Sequence, residues 1–300
     1  MKIITCEIAS KECVAVLSEA RVFPLTTIGI LPDYDLPGHG FSMTDVIRMW
    51  DGDFAKRISD AMASADADAG IPLSDVKLLS PIPRPEQDII CLGLNYSEHA
   101  VEAKEFNSTF EAEKAAAVYF SKRATYSQGT DAPIPAHENL TNQLDYEVEL
   151  AVIIGKDAYN VSEEDAENYI FGYSVFNDVS AREVQTGHNQ WYFGKSLDGF
   201  SPMGPCIVTR DEFAYPPALK IKSFVNGEPR QDSTTDHLIH NISEIISELS
   251  SGMLLKAGTI IATGTPAGVG MGMNPPTFLK PGDEVVCYVE GIGELKNTIE

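Results

Sequence analysis

The stretch from Asp145 to Arg182 constrains this chain more than any other. Asp145-Tyr146-Glu147-Val148-Glu149-Leu150-Ala151-Val152-Ile153-Ile154 reads as a strand, rich in β-branched residues, alternating, and ended by Gly155. Alternation puts Glu147 and Glu149 on one face with Ala151 and Ile153, and Tyr146, Val148, Leu150 and Val152 on the other. Both carboxylates therefore lie on a strand that is apolar on its two sides. Ionised acids in such a place repel one another and are costly unless a cation joins them. A second apolar run, Ile170 to Phe176, leads to a third carboxylate, Asp178. Three carboxylates converging from strand ends make an oxygen-rich site for a hard divalent cation. A lone Glu-x-Glu pair is more often the solvated acidic edge of an amphipathic strand, and these residues alone leave that alternative open.

Charge narrows the partners. The 300 residues hold 22 Lys and Arg against 44 Asp and Glu, a net charge of -22. That balance argues against nucleic acid or an anionic membrane as partner. It also means that an anionic ligand needs local positive charge, from a metal or from placed Arg and Lys. The hydrophobic share of 43% is that of a soluble globular chain. The five cysteines, Cys6, Cys13, Cys91, Cys206 and Cys287, are scattered and odd in number, which favours reduced core thiols in a cytoplasmic protein. The N-terminus lacks the apolar core of a signal peptide, and no apolar run reaches membrane-spanning length.

Two units are expected. Residues 1–80 read as a small α+β domain: short β-type runs, a Gly/Pro-rich loop at Pro32 to Gly40, then a helix capped by Ser42 and running from Met43 to about Ala69. Asp66 and Asp68 read as its solvated tail. Pro81-Ile82-Pro83-Arg84-Pro85 marks the boundary, and 86–300 is the main domain. There, strands are expected at Asp88–Leu94, Ala117–Phe120, Thr259–Ala262, Glu284–Glu290 and Gly293–Thr298. A hairpin turns at Asn226-Gly227. Ser162 and Asp165 open a helix through about Tyr169, and Ile239 to Leu249 has helical spacing. Trp191-Tyr192-Phe193 reads as core, and His237 and His240 as surface or interface. Strands outnumber helices without regular alternation, so the fold class is α+β, mostly β, as a barrel-like or rolled mixed sheet. Gly264, Gly268, Gly270 and Gly272 do not form a phosphate loop, because no Lys or Ser/Thr follows in the required place.

Taken in order, Glu147-Val148-Glu149, Asn177-Asp178-Val179-Ser180-Ala181-Arg182, Gly194-Lys195-Ser196 and Thr263-Gly264-Thr265-Pro266-Ala267-Gly268-Val269-Gly270 resemble the catalytic domain of the fumarylacetoacetate hydrolase family, over about residues 88–300. The resemblance implies a mixed β-roll, a homodimer, and Glu147, Glu149 and Asp178 as ligands of Mg²⁺ or Mn²⁺. It implies Lys195, Arg182 and Gln185 beside an anionic 2-oxo acid, and Thr263, Gly264 and Thr265 in a loop that approaches the substrate. His99 has Glu102 three residues on, facing it across a helical turn. That pair fits a water-activating base, and the resemblance places it on a lid over the metal. Lys122 is followed here by Arg123 where many members have proline, in a loop expected near the substrate's distal end.

The reading placed first is hydrolysis of the C–C bond of an acylpyruvate-like 2,4-dioxo acid, releasing pyruvate or a related 2-oxo acid. Metal and Lys195 hold the pyruvoyl end, and His99 with Glu102 activates water. Oxaloacetate-type decarboxylation and keto–enol isomerisation are the alternatives on the same site. A non-catalytic binder of 2-oxo acids is the third.

Overall fold

The computed structural model describes residues 1–32, 40–66, 69–98 and 116–300. Its strands in chain order are β1 Lys2–Ile8, β2 Lys11–Ser18, β3 Arg21–Pro24, β4 Ile71–Pro72, β5 Lys77–Leu78, β6 Ile89–Leu92, β7 Tyr119–Lys122, β8 Leu144–Asp145, β9 Val148–Ile154 and β10 Ile170–Asn177. There follow β11 Ser180–Ala181, β12 Met203–Thr209, β13 Lys220–Val225, β14 Glu228–Thr234, β15 Ile260–Ala262, β16 Glu284–Val289 and β17 Gly293–Thr298. One large mixed sheet runs β4-β3-β2-β1-β12-β10-β9-β15-β6-β7, with β5 also on β1. The N-terminal strands join it where β1 pairs with β12, Lys2 opposite Val208. β15 lies parallel to β6 and antiparallel to β9. A four-stranded sheet, β14-β13-β16-β17, and the pair β11-β8 complete the strands among the described residues. The expected mixed, strand-rich fold is present; the large sheet is open, ending in the short strands β4 and β7, and no closed barrel forms among the described residues.

Strand alternation divides the core as expected. Tyr146, Val148, Leu150, Val152 and Ile154 enter one apolar cluster, with Ile221, Val285 and Val289 of the smaller sheet and Ile242, Ile245 and Leu249 of the helix Ile242–Ser250. Ala151 and Ile153 enter the other, with Val46, Ile47, Phe54 and Ile58 of the N-terminal helices. Strand β9 is thus buried on both faces along its whole length.

Several local expectations are corrected. The helix from Ser42 is two helices, Met43–Met49 and Gly52–Ser64. Ser42 forms a capping box with Asp45, but the Asp51 carboxylate accepts from the Phe54 N–H and starts a new helix, with Trp50 left extended between them. Asp68 lies outside the described residues. Ser162 and Asp165 do meet, yet only one 3₁₀ turn, Ala166–Tyr169, follows. The strand expected from Asp145 is interrupted at Tyr146–Glu147 before β9 begins. Tyr192 and Phe193 are not core; they are 42% and 46% exposed, on the outer side of the turn that carries Lys195 inward. The Asn226-Gly227 hairpin forms, both residues at positive φ, as a tight turn between twisted strands requires.

Candidate metal centre

Register brings the three carboxylates together. β9 and β10 run antiparallel with Asn177 opposite Val148 and Phe176 opposite Glu149. Glu147, just before β9, therefore meets Asp178, just after β10. The Asp178 N–H donates to the Glu147 carbonyl at 2.9 Å, and the Glu147 N–H donates to Asn177 Oδ1 at 3.1 Å. Glu149 points from β9 to the same side. One oxygen from each of Glu147, Glu149 and Asp178 lies within 4.8 Å of the others. All three residues are buried, Glu149 and Asp178 at 0% exposure.

Basic side chains converge on them. Lys195, at the end of the short helix Tyr192–Lys195, donates to Glu147 Oε2 at 2.7 Å and to Asp178 Oδ2 at 2.8 Å. Its ammonium lies 5.1 Å from the centre of the Phe120 ring. The turn reaches inward because Gly194 lies against the Gln185 backbone; a Cβ there would sit 2.4 Å from the Gln185 nitrogen. Lys122 ends β7 and donates to Asp178 Oδ1 and, at 2.9 Å, to the Val179 carbonyl. Arg182 opens the helix Arg182–Gly187; its guanidinium donates to Glu147 Oε1 at 2.7 Å and to Gln185 Oε1 at 3.1 Å.

These surroundings set the charges. Burial pushes the Glu149 carboxyl well above its ordinary range, and Asp178 and Glu147 add to the rise. Burial pulls Lys195 down, but Asp178 and Glu147 outweigh it and hold the ammonium charged. Burial lowers Lys122 despite its contact with Asp178. Glu149 Oε2 accepts the Gly264 N–H at 2.8 Å, whereas Glu149 Oε1 is buried with no hydrogen-bond partner among the described residues. A buried carboxylate oxygen without a partner is expensive, and here it faces two further carboxylates. An all-oxygen donor set of this kind fits Mg²⁺ or Mn²⁺, and coordination would satisfy the orphan.

The placement of the other expected site residues differs from the sequence picture in informative ways. Gln185 is buried beside Arg182. Arg182 is buried, at 2% exposure; its Nε and Nη1 meet protein carboxylates, while Nη2 is buried with no hydrogen-bond partner among the described residues. Lys122, expected near a distal end of substrate, instead touches the triad itself. The hydroxyls of Thr263 and Thr265 donate to the Leu150 and Val148 carbonyls, both at 2.9 Å, and so pin the loop to β9. Gly264 is at φ +97°, and its N–H is the loop's contact with the triad. His99 and Glu102 lie outside the described residues. Two residues not singled out in the sequence are central: Asp145, which binds Arg182, and Gln231, which bonds the Val148 N–H, Ser223, Thr265 and Pro266. Only the Asp145-x-Glu147-x-Glu149 spacing hinted at the first.

Residues 88–300 match the fumarylacetoacetate (FAA) hydrolase C-terminal family. The chain belongs to the fumarylacetoacetate hydrolase family. It is 45% identical over 227 residues, 76% of this chain and 74% of the relative, to a Bacillus subtilis (strain 168) protein named oxaloacetate tautomerase YisK. A solved fumarylacetoacetate hydrolase from psychrophilic Exiguobacterium antarcticum is similar throughout, with TM-score 0.82 and 37% identity over 100% of this chain and 99% of that one. Maleylpyruvate hydrolase from Sphingobium sp. SYK-6, solved with manganese(II) and pyruvate, is 27% identical with TM-score 0.78, over 100% of this chain and 98% of that one. The family thus includes hydrolases and a tautomerase among its named members, and one of them holds a divalent metal. Among the described residues, no helix is long and apolar enough to cross a membrane.

Proposed function

We propose that this chain catalyses keto–enol tautomerisation of an anionic 2-oxo acid of the oxaloacetate type, with Mg²⁺ or Mn²⁺ held by Glu147, Glu149 and Asp178. The observation that carries this reading is the buried oxygen triad flanked by Lys122, Lys195 and Arg182, in a chain 45% identical to a protein named as an oxaloacetate tautomerase. The ion would supply Lewis acidity toward the 2-oxo group.

Charge supports an anionic substrate. Counted as ionised, Asp145, Glu147, Glu149 and Asp178 exceed Lys122, Arg182 and Lys195 by one. A divalent ion turns that deficit into an excess of one positive charge, in a protein whose net charge is otherwise -22. Burial makes such a local excess count, because screening by water is weak there. Lys195 is the ammonium best placed to meet a substrate oxygen: it touches two of the triad carboxylates and packs on Phe120.

Tautomerisation moves one proton between carbon and oxygen and breaks no C–C bond. It needs positive charge at the oxygen and a proton carrier, but no attacking water. We assign the carrier role to His99, oriented by Glu102. Hydrolysis of an acylpyruvate-like acid is the second reading, favoured by the manganese- and pyruvate-bound maleylpyruvate hydrolase. The two separate in a panel of oxaloacetate and 2,4-dioxo acids with Mg²⁺ or Mn²⁺, with products identified by NMR. Faster enol-to-keto conversion of oxaloacetate with its carbon skeleton intact supports tautomerisation. Pyruvate released from a 2,4-dioxo acid, with no effect on the oxaloacetate enol, replaces it by hydrolysis.

A further inference from the structure

Asp145 is a fully buried carboxylate outside the triad. Its Oδ1 accepts the N–H groups of Tyr146 at 2.9 Å and Gly270 at 2.7 Å. Its Oδ2 accepts the Met271 N–H at 2.9 Å and Arg182 Nε at 2.8 Å. The approach is close: a Cβ on Gly270 would lie 2.7 Å from Asp145 Oδ1. The same guanidinium that meets Asp145 through Nε meets Glu147 Oε1 at 2.7 Å. A continuous chain, Asp145–Arg182–Glu147, therefore runs into the triad from outside it.

We propose that Asp145 is a positioning residue for the metal ligand Glu147, acting through Arg182. The inference rests on the metal reading given above. Arg182 paired with Glu147 alone would neutralise that carboxylate and draw it away from a cation. Asp145 takes a share of the guanidinium's charge and fixes its plane, so Arg182 holds only Oε1 of Glu147. Oε2 stays on the side of Asp178, where both now meet Lys195. Arg has the rigid fork this requires; one nitrogen serves each carboxylate in a fixed geometry. Asp145 is itself held in place by the Gly270 and Met271 N–H groups, which aim its Oδ2 at Arg182. Loss of an outer partner that orients a ligand in this way typically costs about 10–100-fold in metal affinity.

The test is Mn²⁺ binding to the full-length chain by calorimetry, in the wild type, Asp145→Asn, Arg182→Met and the double variant. Asp145→Asn keeps the size but puts an NH₂ against Arg182 or against the Gly270 and Met271 N–H groups. Its Kd for Mn²⁺ is expected to rise about 10–100-fold. In the Arg182→Met background the same change should weaken Mn²⁺ by less than about threefold, because the route to Glu147 is already cut. A purely structural Asp145 would lower the melting temperature and leave Mn²⁺ affinity in place. Wild-type affinity in Asp145→Asn, or the same loss with and without Arg182, overturns the proposal. Should Asp145→Asn not fold, Arg182→Lys serves. It keeps the charge but not the fork, and is expected to weaken Mn²⁺ about tenfold; unchanged affinity overturns the proposal equally. A wild type that takes up no Mn²⁺ removes the metal reading and this proposal together, whereas a normal wild type with an indifferent Asp145 removes only the proposal.

Discussion

Replacing Lys195 by Met should tighten metal binding while weakening the metal-free protein. The ammonium occupies Glu147 Oε2 and Asp178 Oδ2, two oxygens of the carboxylates that would hold the ion. It is 1% exposed, so water does little to dissipate its charge. A unit charge about 4 Å from a divalent ion costs about 8 kcal/mol at an effective dielectric near 20. Movement of the side chain and entry of water will remove most of that. If only about 1.4 kcal/mol survives, the Kd still falls tenfold on removal of the charge. Met fills nearly the same space and packs well on Phe120, so cavity effects are small. The metal-free protein pays the opposite way. Buried Glu147 and Asp178 lose a partner, and breaking one side of a buried pair costs about 3–5 kcal/mol. For a chain of 300 residues that is a fall of about 5–8 °C in melting temperature. Calorimetric Mn²⁺ titration and thermal unfolding with and without Mn²⁺ read both effects. The variant should melt lower without metal, gain more on adding it, and lose tautomerase activity. Mn²⁺ affinity weaker than that of the wild type would refute the competition between Lys195 and the ion.

Asp178→Asn removes one triad charge, so most of the rise in melting temperature given by Mg²⁺ should vanish; an unchanged rise puts the ion elsewhere. Gly264→Ala forces a side chain into φ +97°, with its Cβ 2.8 Å from that of Asn95. We expect a loss of about 1–3 kcal/mol in chemical denaturation, and no loss would mean that the loop relaxes freely. His99→Gln should lower any C–C hydrolysis about 10²–10⁴-fold with Mn²⁺ affinity unchanged; a matching drop in Mn²⁺ affinity would make His99 part of the metal site.

Strand periodicity made the centre of this protein legible. The two faces of β9, read from alternation alone, are the two faces that enter the two apolar clusters. The three carboxylates stood out because they sit at strand ends next to apolar runs, but only the family resemblance separated them from a solvated acidic edge. Lys122 and Asp145 were misread or missed for one reason. Their partners lie 56 and 37 residues away, and ion pairs at such separations leave no spacing in the sequence. The break at Trp50 was hidden because its apolar residues keep helical spacing on both sides of it, while the capping carboxylate of Asp51 decided the backbone. Tyr192 and Phe193 misled in the opposite sense: the aromatic run suggested core, but a turn that buries Lys195 must turn its neighbours outward.

Metal-dependent proton transfer on a 2-oxo acid has one direct readout, the fate of the oxaloacetate enol. Enol oxaloacetate is mixed with the metal-stripped chain, then with the same chain plus Mn²⁺, in D₂O, and followed by NMR. The Mn²⁺-loaded chain is expected to speed conversion to the keto form well beyond Mn²⁺ alone, with one deuterium delivered to C3 from a single face. Asp178→Asn should abolish the acceleration. An enol decay no faster than with Mn²⁺ alone, or unaffected by Asp178→Asn, would contradict it.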